Sequence, residues 1–334
     1  MKKPIYVCTL LTIAGLSLCG CRSDGQNDQV VSQRYIHKYG YVLSKAEWNQ
    51  SDYPGQVITN LKDGVTVTET YENSVLHGPT TYTFPHSQTV QHFYLYNQGV
   101  QVKEIHYNPM GMPVQEKVQL SPSRYAVTMW YHEGTPLLIE EFVENELLEG
   151  QYFTAANEIE SRVEKGCGVR TLRDASGVLL MKEDIEQGFA AKRQTFYPNG
   201  APESVAHYSH GLLDGEKKTF AQGGEPLSIE FYSQGHLHGT AAYFANGNKY
   251  LETPFFHGQK HGIEKHFVDG DILTQEVSWE NGLRHGPTQI YLDNHIESQW
   301  FYAGDSVSKR KFDELTHLDE IISQIPPLPQ APRR

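Results

Sequence analysis

Short segments rich in Thr, Tyr, Phe, Val and Ile alternate with polar, turn-forming sites along most of the chain. One such site recurs at Gly64, Ser87, Gly111, Gly134, Asn157, Gly177, Gly200, Gly224, Gly247, Gly270 and Asn294. Its intervals are 23 or 24 residues, apart from the 20 between Asn157 and Gly177. A second site falls between these, as in GLLDG (211–215), GHLHG (235–239), GQKHG (258–262) and GLRHG (282–286). Weaker copies stand at 74–78, 99–103, 146–150 and 188–192. Periods of this length mark repeat architectures, and Gly, Ser and Asn suit tight turns. Each unit therefore predicts a β-hairpin of two strands of roughly seven residues.

Aromatic residues hold fixed places in the unit. Three residues before the first Gly of the second site stand Tyr208, Tyr232, Phe255, Trp279 and Phe301, with Tyr71 and Tyr96 in the weaker copies. Five after its second Gly stand Tyr197, Phe220, Phe244, Phe267 and Tyr291. Like positions on successive hairpins lie ~9.6 Å apart, so the series predict an aromatic stripe along the sheet.

GLLDGEKKTFAQGG, GHLHGTAAYFANG and GLRHGPTQIYLDN resemble the bacterial variant of the MORN repeat, well over 188–304 and more faintly over 64–187. The resemblance implies a single-layer antiparallel sheet of hairpins that binds or scaffolds and does not catalyse. The fold expected is all-β: an elongated single-layer antiparallel sheet of about eleven MORN-type hairpins with a short C-terminal helix. The glycines then serve the backbone, with Gly200, Gly224, Gly247 and Gly270 as structural turns.

The flanks complete the organisation. Residues 1–20 begin with Lys2 and Lys3, continue through an apolar stretch too short to span a bilayer, and read as a signal peptide. Leu18-Cys19-Gly20-Cys21 resembles a lipoprotein cleavage box, which makes Cys21 the lipidation site. Residues 21–33 form the lipidated end and a polar tether, 34–63 an N-terminal cap, 64–311 the array, and 312–334 a C-terminal helix and proline-rich tail. Ser44 and Glu47 are spaced as a capping box, and apolar residues at 312, 315, 318, 321 and 322 have helical spacing.

Processing leaves Cys167 as the one free thiol, which allows a dimer through it but no internal disulfide. It also removes two basic residues and no acid, so 26 basic side chains face 40 acidic ones, a formal charge of −14. That excludes nucleic acid as a natural partner. The membrane is reached through the N-terminal lipid. Arg22 rather than Asp follows the lipidated cysteine, which points to the outer membrane.

No motif for catalysis or for a cofactor is present. His77, His238, His261 and His285 share one repeat position, too far apart to ligate one metal ion, and no metal site is expected. Two function classes remain. One is an envelope scaffold that binds proteins. The other is a carbohydrate- or peptidoglycan-binding array using exposed aromatics. The side of the sheet on which the stripe lies, and what covers it, separates them.

Overall fold

The computed structural model describes residues 29–293 and 295–324. The signal peptide, Cys21, most of the tether, the turn at Asn294 and the proline-rich tail lie outside the described residues. Twenty-seven antiparallel strands form an open sheet, accompanied by two helices, Lys45–Gln50 and Lys309–Ser323. The chain divides into two compact units, one ending at Gln101 and the other starting at Val102.

In the first unit, strand Val30–His37 pairs on one side with Val42–Leu43 and on the other with Gly55–Leu61. Strands Thr66–Glu72, Val75–Thr83 and Val90–Asn97 continue as a meander. The helix Lys45–Gln50 starts where the sequence marks it. The Ser44 hydroxyl accepts from the Glu47 amide at 3.2 Å, and the Glu47 carboxylate accepts from the Ser44 amide at 2.7 Å. This reciprocal box satisfies two of the amides a helix start leaves unpaired.

The second unit is a meander in which each strand pairs with its neighbours in sequence, as far as Asp305–Val307. Two turn types alternate. One is a two-residue loop with both residues at positive φ, such as His257 (48°) and Gly258 (82°). This is the type I′ turn, whose twist matches that of the strands it joins. The other is a five-residue loop such as Tyr197–Ala201, in which Gly200 N–H donates to the Tyr197 carbonyl at 2.8 Å. Gly200 and Gly224 sit at the left-handed position of such loops, at φ 83° and 94°. Gly247 and Gly270 instead complete two-residue turns after Asn246 and Asp269, at φ 80° and 90°.

The second glycine of the Gly-x-x-x-Gly step has a different use. Gly215, Gly239, Gly262 and Gly286 lie at φ 97–109°, at β-bulges where the strand register shifts. The bulges at Gly239 and Gly262 split their strands into His236–Leu237 with Gly239–Ala245 and Gln259–Lys260 with Gly262–Val268. Apart from these two breaks, three strands of the N-terminal segment and Asp305–Val307, 21 of the 27 described strands belong to the array, one short of eleven hairpins. The short interval has a local cause. Its turn is Lys165-Gly166, and Gly168 follows after two residues rather than four, at φ 143°. A Cβ on Gly168 would collide with the carbonyl oxygen of Arg162.

In the second unit the two faces of the sheet are unequally covered. Leu138, Tyr152, Val163 and Ile185 share a face and cluster with Tyr131, Leu137 and Leu147 as the main apolar core. Alternate residues on the opposite face, among them Ile139, Val169, Phe231 and Ile263, are exposed. The period of two along each strand dictates this division.

The C-terminal helix is held at its start and again at Asp319, in its second half. Ser308 caps it, Phe312 packs on Trp300 at 5.0 Å and His285 at 5.3 Å, and the Tyr302 phenol donates to Asp319 at 2.6 Å. Leu318, Ile321 and Ile322 keep half their surface in solvent, so the helical apolar spacing is only partly used for packing.

Candidate functional site

Tyr208, Tyr232, Phe255, Trp279 and Phe301 lie near the type I′ turns on the more covered face. Phe301 is buried and the other four are half-buried. They do not touch one another. The intervening strand places Leu213 opposite Tyr208, Leu237 opposite Tyr232, Lys260 opposite Phe255 and Arg284 opposite Trp279. Cationic heads therefore interleave with the rings. The Arg193 guanidinium lies 4.9 Å from the centre of the Tyr208 ring, and Lys217 5.8 Å from that of Tyr232. Lys260 lies 4.5 Å from Trp279, and Arg284 5.1 Å from Phe301. Each such contact contributes about 0.5–2 kcal/mol, depending on how dry it is.

A row of carboxylates, Glu140, Glu183, Glu230 and Glu264, lies on the same face of the sheet. Glu230 stands two residues before the stripe residue Tyr232 on the same strand. Glu140, Glu183 and Glu264 are buried. A buried carboxylate is costly unless paired, and each of these is. Arg170 donates through Nε and Nη2 to both oxygens of Glu140, at 2.6 and 2.9 Å, and through Nη1 to Glu183 at 3.1 Å. Arg193 donates to the other Glu183 oxygen at 2.6 Å. Tyr152 donates to Glu140 at 2.8 Å. A continuous polar chain thus runs Tyr152, Glu140, Arg170, Glu183, Arg193, and ends over the Tyr208 ring.

The environment shifts these groups in consistent directions. Burial, then the neighbouring Glu140 charge, pushes the Tyr152 phenol far above its ordinary value. Burial alone would disfavour the Arg170 cation, yet Glu140 and Glu183 hold it more firmly charged than usual. At Glu264 burial raises the carboxyl, and hydrogen bonds from Lys260 and Thr253 outweigh it and hold the group below the usual carboxylate range. Burial, then the hydrogen bond to Glu230, moves the Tyr232 phenol up to about 12. Every charge in the row is spoken for, which suits a structural spine better than a reacting centre.

The turn edge is bonded from repeat to repeat. Gly235 N–H donates to the Leu213 carbonyl, Gly258 to Leu237, Gly282 to Lys260 and Gly304 to Arg284, all between 2.7 and 2.9 Å. The shared histidines join in. Nδ1 of His77, His261 and His285 accepts from the first amide of the next turn, that of Gln98, Asn281 and Ala303, at 3.2–3.5 Å. His238 is the exception: its Nδ1 is buried without a partner. Among the described residues no group of three or more His, Cys, Asp and Glu side chains could hold a metal ion.

Cys167 is exposed and unpaired, directly after the Lys165-Gly166 turn and opposite Glu164. Among the described residues no helix is long and apolar enough to cross a membrane.

No family model and no curated protein matches the sequence. Among solved structures the chain is similar to part of a crystal structure of TcdB2-TccC3-Cdc42, with 11% identity and a TM-score of 0.18. The match covers 80% of this chain and 18% of that one, so the chain spans less than a fifth of its length.

Proposed function

We propose that this is a non-catalytic envelope lipoprotein whose MORN-type hairpin array is a scaffold for protein–protein interaction. The observation that carries the reading is the cationic cover on the stripe. A sugar stacks on a ring whose π-face is open, because its C–H groups meet the negative face of the ring. Arg193, Lys217, Lys260 and Arg284 lie over the rings of Tyr208, Tyr232, Trp279 and Phe301, which makes the stripe a poor sugar platform and a good internal stiffener. Exposed apolar side chains on the opposite face, such as Phe231 and Ile263, supply contact area of the kind proteins recognise.

The anchor belongs to the same reading. Cys21 carries the lipid, the polar residues after it act as tether, and Arg22 directs the protein to the outer membrane. Several acyl chains on one cysteine hold firmly where one would not. A disulfide between two copies through Cys167 is compatible with its exposure. Cross-linking and capture from the native envelope tests the scaffold. Specific envelope proteins should be recovered with the full chain, and their recovery should fall on Phe231→Asp and Ile263→Asp. Capture unaffected by both substitutions counts against that face. A Cys21→Ser chain that stays with the membrane after a high-salt wash counts against the anchor.

A further inference from the structure

The first unit carries a cleft that differs from the stripe in every respect that matters for a ligand. Its volume is about 690 Å³, within the range of small-molecule sites. The floor is the sheet face that carries Tyr35, Val57, Thr59, Val67 and Tyr71. The rim is the short helix Lys45–Gln50 and the Tyr53 segment that follows it. That helix buries none of its residues. Its capping box fixes its first turn and Trp48 meets Tyr35 and Tyr71 of the sheet, yet the helix roofs a space rather than filling it.

The lining is aromatic and almost neutral. Tyr35, Trp48, Tyr53, Tyr71 and Tyr82 all face the cleft. Trp48 is tilted on Tyr35 at 5.7 Å and stands edge-on to Tyr71 at 6.1 Å, so its orientation is set from two sides. Among the described residues no Lys or Arg head lies over the ring of Trp48 or Tyr53. The charged residues of the lining are Lys45 and Glu69, of opposite sign. Amides and hydroxyls make up the rest of the polar surface. The Gln33 amide donates to the buried Thr59 hydroxyl at 3.1 Å and accepts from the Tyr35 phenol at 3.0 Å. It is locked in place with an N–H and a lone pair to spare.

A phosphate ligand would call for several cations, a metal ion for several carboxylates, and an acyl chain for an apolar wall. Aromatic rings without a cationic cover, beside fixed amides and hydroxyls, fit a neutral polyol that has apolar C–H faces and equatorial hydroxyls. We infer that this cleft is a binding site for a neutral glycan, a segment of two or three pyranose units, with Trp48 as the stacking platform and Gln33 and Asn49 as hydrogen-bonding groups. This site is independent of the scaffold reading.

The test is a titration of the full-length chain in detergent solution with triacetylchitotriose and, separately, maltotriose, read by saturation-transfer NMR and tryptophan fluorescence. Saturation should reach the ring C–H protons of at least one oligomer, with an affinity unchanged between low and high salt. Trp48→Ala should weaken binding by about tenfold or more, as loss of a central aromatic anchor does. The exposed rim substitution Asn49→Ala should weaken it severalfold without moving the unfolding midpoint, which separates a lost contact from a lost fold. Trp279→Ala should leave it unchanged. Absence of saturation transfer with both oligomers overturns the proposal. So does binding that survives Trp48→Ala, or binding that disappears with Trp279→Ala.

Discussion

The Tyr152 phenol reaches Glu140 by passing over Gly150. A Cβ on Gly150 would stand 2.5 Å from the phenol oxygen and 2.9 Å from the ring carbon that bears it. Gly150→Ala should therefore cost about 1–3 kcal/mol by overpacking, with no demand on backbone φ. Tyr152→Phe should cost a similar amount, about 1–3 kcal/mol, because it strips a donor from a buried carboxylate. The double variant should be less destabilised than the sum of the two, since removing the phenol oxygen relieves the worst contact. Urea unfolding of the four proteins measures this, and strict additivity would contradict the geometry.

Lys260 serves two groups at once: it covers Trp279 and hydrogen-bonds Glu264. The Glu264 carboxyl is held below its ordinary value, so its contribution to stability is present above the unfolded value near 4.5 and is lost as pH falls through the folded one. Lys260→Met should destabilise by about 1–3 kcal/mol at neutral pH, because Glu264 loses its charged donor. The gap between variant and parent should begin to narrow near pH 4.5 and close only below the lowered folded value, once Glu264 is protonated in both. Denaturant midpoints from pH 3 to pH 8, on the order of one per half unit, would show it.

The turn at Gln234-Gly235 places a glutamine at φ 48°, where asparagine is much preferred. Gln234→Asn should stabilise by a few tenths of a kcal/mol, up to about 1. Gly258→Val should destabilise by about 1–2 kcal/mol or more, because a β-branched residue resists φ of 82°. Thermal midpoints that move in the same direction for both would refute the type I′ assignment.

Cys167 should react with a maleimide in the folded protein at a rate close to that of an unfolded thiol. It lies exposed beside a two-residue turn. Intact-mass kinetics with and without denaturant check this. A rate that rises by about a hundredfold or more on unfolding would show a protected thiol instead.

The repeat was legible because its turns are made of backbone chemistry. Gly224, Gly235 and Gly258 stand where φ must be positive, and their spacing survives in the sequence whatever the side chains do. The strand count was less legible, because a bulge glycine such as Gly262 reads as a turn until the pairing shows a register shift on an otherwise continuous strand. The polar spine was not legible. Glu140 and Arg170 are 30 residues apart, more than one repeat, so no local motif joins them. A clue was present all the same. Glu230 stands two positions before the stripe residue Tyr232, and a period of two puts both on the covered face. The cations beside the aromatic positions were not legible either. Lys260 and Arg284 come to lie over rings only because type I′ turns place them directly across from Phe255 and Trp279.

The shortened repeat at Gly166–Gly168 has a consequence for cooperativity. A meander couples each hairpin mainly to its neighbours, so a missing bulge is a natural place for the row to come apart in two steps. Arg170 stands in that repeat and grips Glu140 on one side and Glu183 on the other. It acts as a splice across a fault line, reaching beyond nearest neighbours where nearest-neighbour coupling is weakest. The repeat is a few residues short there, and the buried ion chain ties together the strands on either side of it.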